Sequence, residues 1–261
     1  MNEILIPALS IGAIGLFFGA LLAFASIVFK VEKDERIDAI TEYLPGANCG
    51  GCGYTGCSAL AEAIVANGES ATKCNLMTEE KNAEICKIMG TAAGKIEPKT
   101  ARLKCSGTSD ACKMKYDFEG IDDCYTAMQL NGGPKSCQYG CMGLGSCVSA
   151  CEFDAITIKD GICHIDENKC KACGRCVSLC PKNLIELVPV KNRVYVSCMN
   201  TDKGAKVKDI CSVGCIGCKI CEKKCEFGAI TVVDNLARID YEKCTQCGKC
   251  VEACPKKIIR Q

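Results

Sequence analysis

The chain has no tryptophan, a single histidine and only 5% aromatic residues. Modules so poor in large side chains rarely build a large apolar core and need a metal or another staple. The lone His164 lies in an alternating segment, Ile162-Cys-His-Ile165, that reads as a strand and makes this residue structural or exposed. No acid–base pair can be built around it. A Gly-x-Gly-x-x-Gly after a strand and a phosphate loop are both missing, so no nucleotide site is expected. Gly140-Cys-Met-Gly-Leu-Gly145 is glycine-rich but lies among cysteines. Net charge is +1, which gives no reason to expect a nucleic-acid partner.

Cysteine is the opposite case, with 27 in 261 residues. One run reads Cys215-x2-Cys218-x2-Cys221-x3-Cys225, followed by Cys244-x2-Cys247-x2-Cys250-x3-Cys254-Pro255. This is the spacing of bacterial two-cluster iron–sulfur modules, in which the fourth Cys of each run ligates the other cluster. Crossed ligation predicts one [4Fe–4S] cluster on Cys215, Cys218, Cys221 and Cys254. A second would sit on Cys225, Cys244, Cys247 and Cys250. Zinc also uses Cys-x2-Cys pairs, but a third Cys two residues later is a poor zinc pattern. An odd Cys count and this spacing argue against a secreted, disulfide-bonded chain.

The arrangement occurs once before. Cys137-x3-Cys141-x5-Cys147-x3-Cys151 precedes Cys170-x2-Cys173-x2-Cys176-x3-Cys180-Pro181, and Cys151-Glu-Phe-Asp-Ala-Ile-Thr-Ile echoes Cys225-Glu-Phe-Gly-Ala-Ile-Thr-Val. This is an internal repeat of a whole unit. The first copy reads as carrying four extra residues between its early cysteines. The same rule predicts clusters on Cys137, Cys141, Cys147 and Cys180, and on Cys151, Cys170, Cys173 and Cys176. In both copies Glu stands where Pro often follows the fourth Cys of a first run. Each half should be a short hairpin, a cluster loop and a short helix. The last module places its hairpin strands at Ala229–Val233 and Ala237–Asp240, with Asp234-Asn235 at the turn.

At the front, Ile4 to Phe29 is free of charge and long enough to cross a bilayer as a helix. Three basic residues follow within Lys30 to Arg36 and none precedes it, which predicts the bulk of the chain on the cytoplasmic side. A cleaved signal peptide would need a basic start and a shorter apolar stretch, although Ala23-Phe-Ala25 resembles a cleavage site. Gly12, Gly15 and Gly19 share one face and suit close packing on a neighbouring membrane helix.

A short charged helix over about Glu35 to Tyr43 leads to Pro45-Gly46, then Asn48-Cys49-Gly-Gly-Cys52-Gly-Tyr-Thr-Gly-Cys57, with Cys74 beyond. Gly56 to Ala66 has helical composition and carries Cys57 in its first turn, where the dipole favours a thiolate. Cys49, Cys52, Cys57 and Cys74 suit one more [4Fe–4S] cluster, with zinc as the alternative. With these motifs the chain resembles the B-type subunit of the Rnf complex, in its form with two ferredoxin modules, over essentially its full length. The segment from Gly46 to Cys57 is the discriminating part. The resemblance implies a membrane complex that oxidises reduced ferredoxin and reduces NAD, coupled to Na⁺ or H⁺ movement. It implies soluble ferredoxin as electron donor and the other Rnf subunits as partners. A polyferredoxin subunit of another membrane redox complex, or an iron–sulfur sensor or scaffold, are the competing readings.

The expected fold class is α+β: a transmembrane helix (1–30), a small N-terminal [4Fe–4S] domain (31–90), a connector (91–133) and ferredoxin-like modules over 134–192 and 193–261. Five [4Fe–4S] clusters are expected, forming an electron wire; hydride chemistry would belong elsewhere. In the connector, Thr78 is expected to cap a helix ending at Met89-Gly90. Ala92 to Lys104 reads as linker, and a second helix runs from about Asp122 to Leu130. Seven cysteines stay outside these sets. Cys86, Cys105, Cys112 and Cys124 either share another metal or pack as small hydrophobes. Cys198 and Cys211 can meet across a polar loop, Cys211 can compete with Cys215, and Cys163 reads as packed. Lys171, Arg175, Lys219, Lys223, Lys224 and Lys249 lie near the cluster loops and suit an acidic docking partner.

Overall fold

The computed structural model describes the backbone of residues 2–28 and 34–261, and the side chains of 11–25 and 34–261. Helix α1 (Asn2–Val28) has 27 residues. Its described apolar side chains stand open, Leu16 at 78% and Ile11 at 70% exposure, and Gly12, Gly15 and Gly19 have nothing near them. Among the described residues, which take in only part of this helix, no helix is long and apolar enough to cross a membrane. The span expected over Ile4 to Phe29 therefore lies partly outside the described residues, as do Lys30 and Lys33.

The N-terminal domain is a three-helix unit: α2 (Glu35–Tyr43), α3 (Cys57–Asn67) and α4 (Glu79–Met89). Ile40, Leu60, Ile64, Met77 and Ile85 close its core, with Cys74 among them. Each such side chain contributes roughly 1.5–3 kcal/mol of burial. The expected caps form: the Thr78 hydroxyl accepts from the Lys81 N–H at 3.4 Å, and Gly90 ends α4 in the left-handed region.

The two ferredoxin modules are copies at one constant sequence offset. In the first, β2 (Ile156–Lys159) and β3 (Ile162–Ile165) form an antiparallel hairpin, and α6 (Ser146–Ser149) and α7 (Arg175–Ser178) carry cysteines. Its last strand, β4 (Ile185–Pro189), pairs with β1 (Lys99–Leu103). The second module repeats this with the hairpin β6 (Ile230–Val233) and β7 (Leu236–Ile239), and with α9 (Ile220–Lys224) and α10 (Lys249–Ala253). A short β5 (Tyr195–Val196) pairs with β8 (Ile259–Arg260). Asp234 and Asn235 both take positive φ at the hairpin turn, as the tight turn requires. His164 is an exposed position on β3.

Strand β1 corrects the reading of Ala92 to Lys104 as linker. Lys99-Thr-Ala-Arg-Leu103, buried at Thr100, Ala101 and Arg102, supplies the edge that β4 needs, so the first module begins in the segment expected to be connector. The extra residues of the first copy also lie elsewhere than expected. Aligned at constant offset, Cys137 matches Cys211, Cys141 matches Cys215 and Cys147 matches Cys221. The insertion falls between β1 and Cys137, and contains α5 (Cys124–Gln129), where the second copy has α8 (Gly204–Ile210).

Candidate iron–sulfur centres

In the second module the cysteines of each expected crossed quartet line one cavity. Cys215, Cys218, Cys221 and Cys254 line one cavity of about 330 Å³. Cys225, Cys244, Cys247 and Cys250 line another of about 360 Å³. All these cysteines are free thiols. Their sulfurs take hydrogen bonds from the surrounding chain: the Ala229 N–H donates to the Cys225 sulfur at 3.3 Å and the Gln246 amide to that of Cys244 at 3.4 Å. Burial pushes the Cys221 thiol up to about 11. Such thiols shed their protons to a metal rather than to water, so metal binding and folding are linked.

The first module differs at one cysteine. Cys141, Cys147 and Cys180 line a cavity of about 350 Å³, together with Cys124 and Cys163. Cys137, expected there, lines a different cavity. The repeat explains this. Leu144 stands where Cys218 stands in the second copy, so the first copy has no second loop cysteine. Cys124 reaches the cavity from α5 instead. Its N–H donates to the Ser146 hydroxyl at 2.7 Å, and that hydroxyl donates to Asp123 at 2.8 Å, which also caps α5. Cys163 matches Ala237 on the equivalent strand and is buried, as expected of a packed thiol.

The other quartet of this module is brought together. Cys151, Cys170 and Cys176 pack in one cluster, and burial, added to mutual repulsion with Cys151 and Cys170, raises the Cys173 and Cys176 thiols. The Cys170 sulfur accepts from the Ala101 and Ala172 N–H groups, both at 3.4 Å. The glutamates that replace Pro have matching roles: Glu152 pairs with Arg175, and Glu226 pairs with Lys249 at 2.6 Å.

Cys49, Cys52, Cys57 and Cys74 line a cavity of about 360 Å³ in the N-terminal domain. The Asn48 side chain accepts the Cys57 N–H at 2.8 Å, fixing the start of α3. Cys173 of the first module lines the same cavity. A Cβ on Gly51 would stand 1.9 Å from the Cys173 carbonyl oxygen, so only glycine permits this approach.

The leftover cysteines separate. Cys86 lies apart, with its thiol near the Asn82 side chain and the Ala92 carbonyl, both at 3.8 Å. A site shared by Cys86, Cys105, Cys112 and Cys124 does not form. Cys105, Cys112, Cys198 and Cys211 instead join Cys137 around a cavity of about 370 Å³ between the two modules. Spacing within a single run gives no sign of this grouping; the offset between the copies would have. Among the described residues, no three His, Cys, Asp or Glu side chains converge closely enough to hold a single metal ion.

Family models match three stretches: an Fe-S cluster family (FeS) over 44–75, a 4Fe-4S binding domain over 164–186 and a 4Fe-4S dicluster domain over 214–259. The whole chain is similar to the B-type subunit of the Na(+)-translocating ferredoxin:NAD(+) oxidoreductase complex of Acetobacterium woodii, 44% identical over 99% of this chain and 78% of the relative. It is 42% identical to the B-type subunit of the ion-translocating oxidoreductase complex of Methanosarcina acetivorans, over 99% of both chains. The B-type subunit of the proton-translocating ferredoxin:NAD(+) oxidoreductase complex of Clostridium ljungdahlii is 39% identical over 100% of this chain and 93% of its own length.

Proposed function

Since the chain belongs to the B-type subunit family of the ion-translocating oxidoreductase (Rnf) complexes, and is an electron-transfer subunit of such a ferredoxin:NAD(+) oxidoreductase, we propose that five thiol sets hold [4Fe–4S] clusters. These are Cys49, Cys52, Cys57 and Cys74 in the N-terminal domain; Cys151, Cys170, Cys173 and Cys176, with Cys124, Cys141, Cys147 and Cys180, in the first module; and the two crossed quartets of the second. When bound, such a cluster supplies one-electron redox chemistry at a potential set by hydrogen bonds to its sulfurs and by exposure.

One observation carries this reading: four of the sets line cavities of nearly equal volume, and in the fifth Cys151, Cys170 and Cys176 pack in one cluster, with amide donors on their sulfurs. Zinc fits them poorly. A Zn–S bond of about 2.3 Å brings tetrahedral sulfurs to about 3.8 Å of each other, and the described side chains do not converge in that way.

The sets follow one another through the molecule. Cys173 touches the N-terminal cavity, and Cys147 lies close enough to Cys176 to raise its thiol. At the far end Cys218 and Cys247 are exposed. Soluble ferredoxin docks there, beside Lys219, Lys223 and Lys224, which form no salt bridge among the described residues. Arg175 and Lys249 are already paired. The open apolar side chains of α1 anchor the N-terminal end in the membrane beside the other components of the complex, with the modules on the cytoplasmic side.

The test is iron, sulfide and zinc per chain in the anaerobically purified complex. At least about twenty irons with equal sulfide are expected; mostly zinc, or fewer than about sixteen irons, overturns the reading.

A further inference from the structure

We propose that the cavity between the two modules is a sixth [4Fe–4S] site, held by Cys105 and Cys137 of the first module and Cys198 and Cys211 of the second. The cluster type rests on the five-site reading; the site rests on its own geometry.

The four cysteines are two pairs related by the repeat. Cys105 lies two residues beyond the end of β1 and Cys198 two beyond the end of β5. Each is preceded by the same anchor, Lys104 N–H to the Leu184 carbonyl and Ser197 N–H to the Ile258 carbonyl, both 2.7 Å. The Cys141 N–H donates to the Cys105 sulfur, and the Cys215 N–H to the Cys198 sulfur, both at 3.4 Å. Cys137 and Cys211 are likewise equivalent: the N–H of Gly140 bonds the Cys137 carbonyl at 3.1 Å, and that of Gly214 the Cys211 carbonyl at 3.4 Å.

Their sulfurs are held as ligand sulfurs are. The Gly107 N–H donates to the Cys105 sulfur at 3.4 Å, and the backbone N–H two residues along also acts on the thiols of Cys137, Cys198 and Cys211, from Tyr139, Asn200 and Val213. Cys170 in the first module does the same with Ala172. Thiols packed merely as small hydrophobes have no need of a donor each. The Asn200 side chain, 2% exposed, adds a further bond, to the Cys137 sulfur at 3.4 Å.

Size and charge agree. The cavity, about 370 Å³, is as large as the four others described. Lys135 is 1% exposed and binds the Gly107 and Gly161 carbonyls at 2.7 Å, with no carboxylate partner among the described residues. The buried Lys182 amine, which lines the neighbouring cavity of the first module, has no hydrogen-bond partner among the described residues. Buried cations need an anion close by, and a cube on four thiolates is one. Cys112 also lines the cavity and bridges to Cys211, but its sulfur takes the Cys137 N–H and lacks the pattern of the other four. It is the spare thiol.

The position gives the site its purpose. Cys141 and Cys215, whose amides bond its sulfurs, are ligands of the neighbouring sets on either side, so it joins the two modules into one series.

The experiment is iron and sulfide per chain on the intact complex, with EPR of the reduced sample. The unmutated protein should carry about twenty-four irons, which needs no variant to fold. Cys105→Ser and Cys198→Ser should each lose about four irons and one signal, while Cys112→Ser keeps both. A count of about twenty sinks the sixth site and leaves the other five. A count far below that sinks the five-site reading instead. One zinc beside about twenty irons overturns the assignment, as does a Cys198→Ser protein with all its iron. If Cys112→Ser loses the cluster and Cys211→Ser keeps it, the proposed quartet is wrong.

Discussion

The two ferredoxin modules share a backbone plan and differ in which cysteines line their cavities. In the second each expected quartet comes from its own tight loops. The first has Leu144 in place of a loop cysteine, and Cys124 reaches its cavity from α5, outside the repeat. In the proposed assignment a cluster site is specified by where a sulfur arrives and not by the run that carries it. The insertion holding α5 is held to the loop by Asp123 and Ser146, so the borrowed thiol is positioned rather than tethered.

The most severe way to break the comparison is to remove the iron. Both modules have small cores around their cysteines, whereas the N-terminal domain packs Ile40, Leu60, Ile64 and Ile85. Anaerobic chelation should abolish cooperative unfolding of both modules and leave helical circular dichroism from the N-terminal domain. Equal loss in all three would show that the helical core does not stand alone.

The sharpest test separates the modules. Cys124→Ser should cost about four irons per chain, and Cys163→Ala none. Adding Leu144→Cys to Cys124→Ser should restore the cluster by rebuilding the loop of the second module. Failure of that rescue would mean that the two loops are not equivalent.

A smaller effect is expected where the first module meets the N-terminal domain, at Gly51 and Cys173. Gly51→Val forces its side chain into the Cys173 carbonyl, at a cost of about 1–3 kcal/mol. Iron content should hold, while magnetic interaction between the N-terminal cluster and its neighbour weakens in EPR. An unchanged spectrum would show that the contact is dispensable.

The mildest change lies on the surface. Lys223→Glu with Lys224→Glu should slow reduction by ferredoxin roughly two- to tenfold at low salt, and less at high salt. The double change Lys169→Glu with Lys171→Glu in the first module should have little effect. Equal slowing by both would move the docking face.

Much of this was legible in advance. Cys-x2-Cys-x2-Cys-x3-Cys points to the sets that line the two cavities of the second module because close spacing confines three thiols to one loop. Thr78, Gly90 and Asp234-Asn235 announced their caps and turn through local backbone chemistry. Strand β1 was hidden because its partner is far along the chain, and an edge strand five residues long resembles a linker. Cys124 and the junction cysteines were hidden for the same reason: nothing local links Cys105 to Cys198. The misplaced insertion came from matching Cys137 to the first ligand when its counterpart is Cys211.

The residue Cys141 offers its thiol to one cavity and its N–H to the Cys105 sulfur of the next, as Cys215 does toward Cys198. Both groups hang from one Cα, so a shift of that residue moves them together. Charge arriving on one side is felt across a single residue on the other, so adjacent centres should titrate as a ladder of displaced steps rather than as independent waves. A change in the loop geometry at Cys141 would then shift two midpoints together.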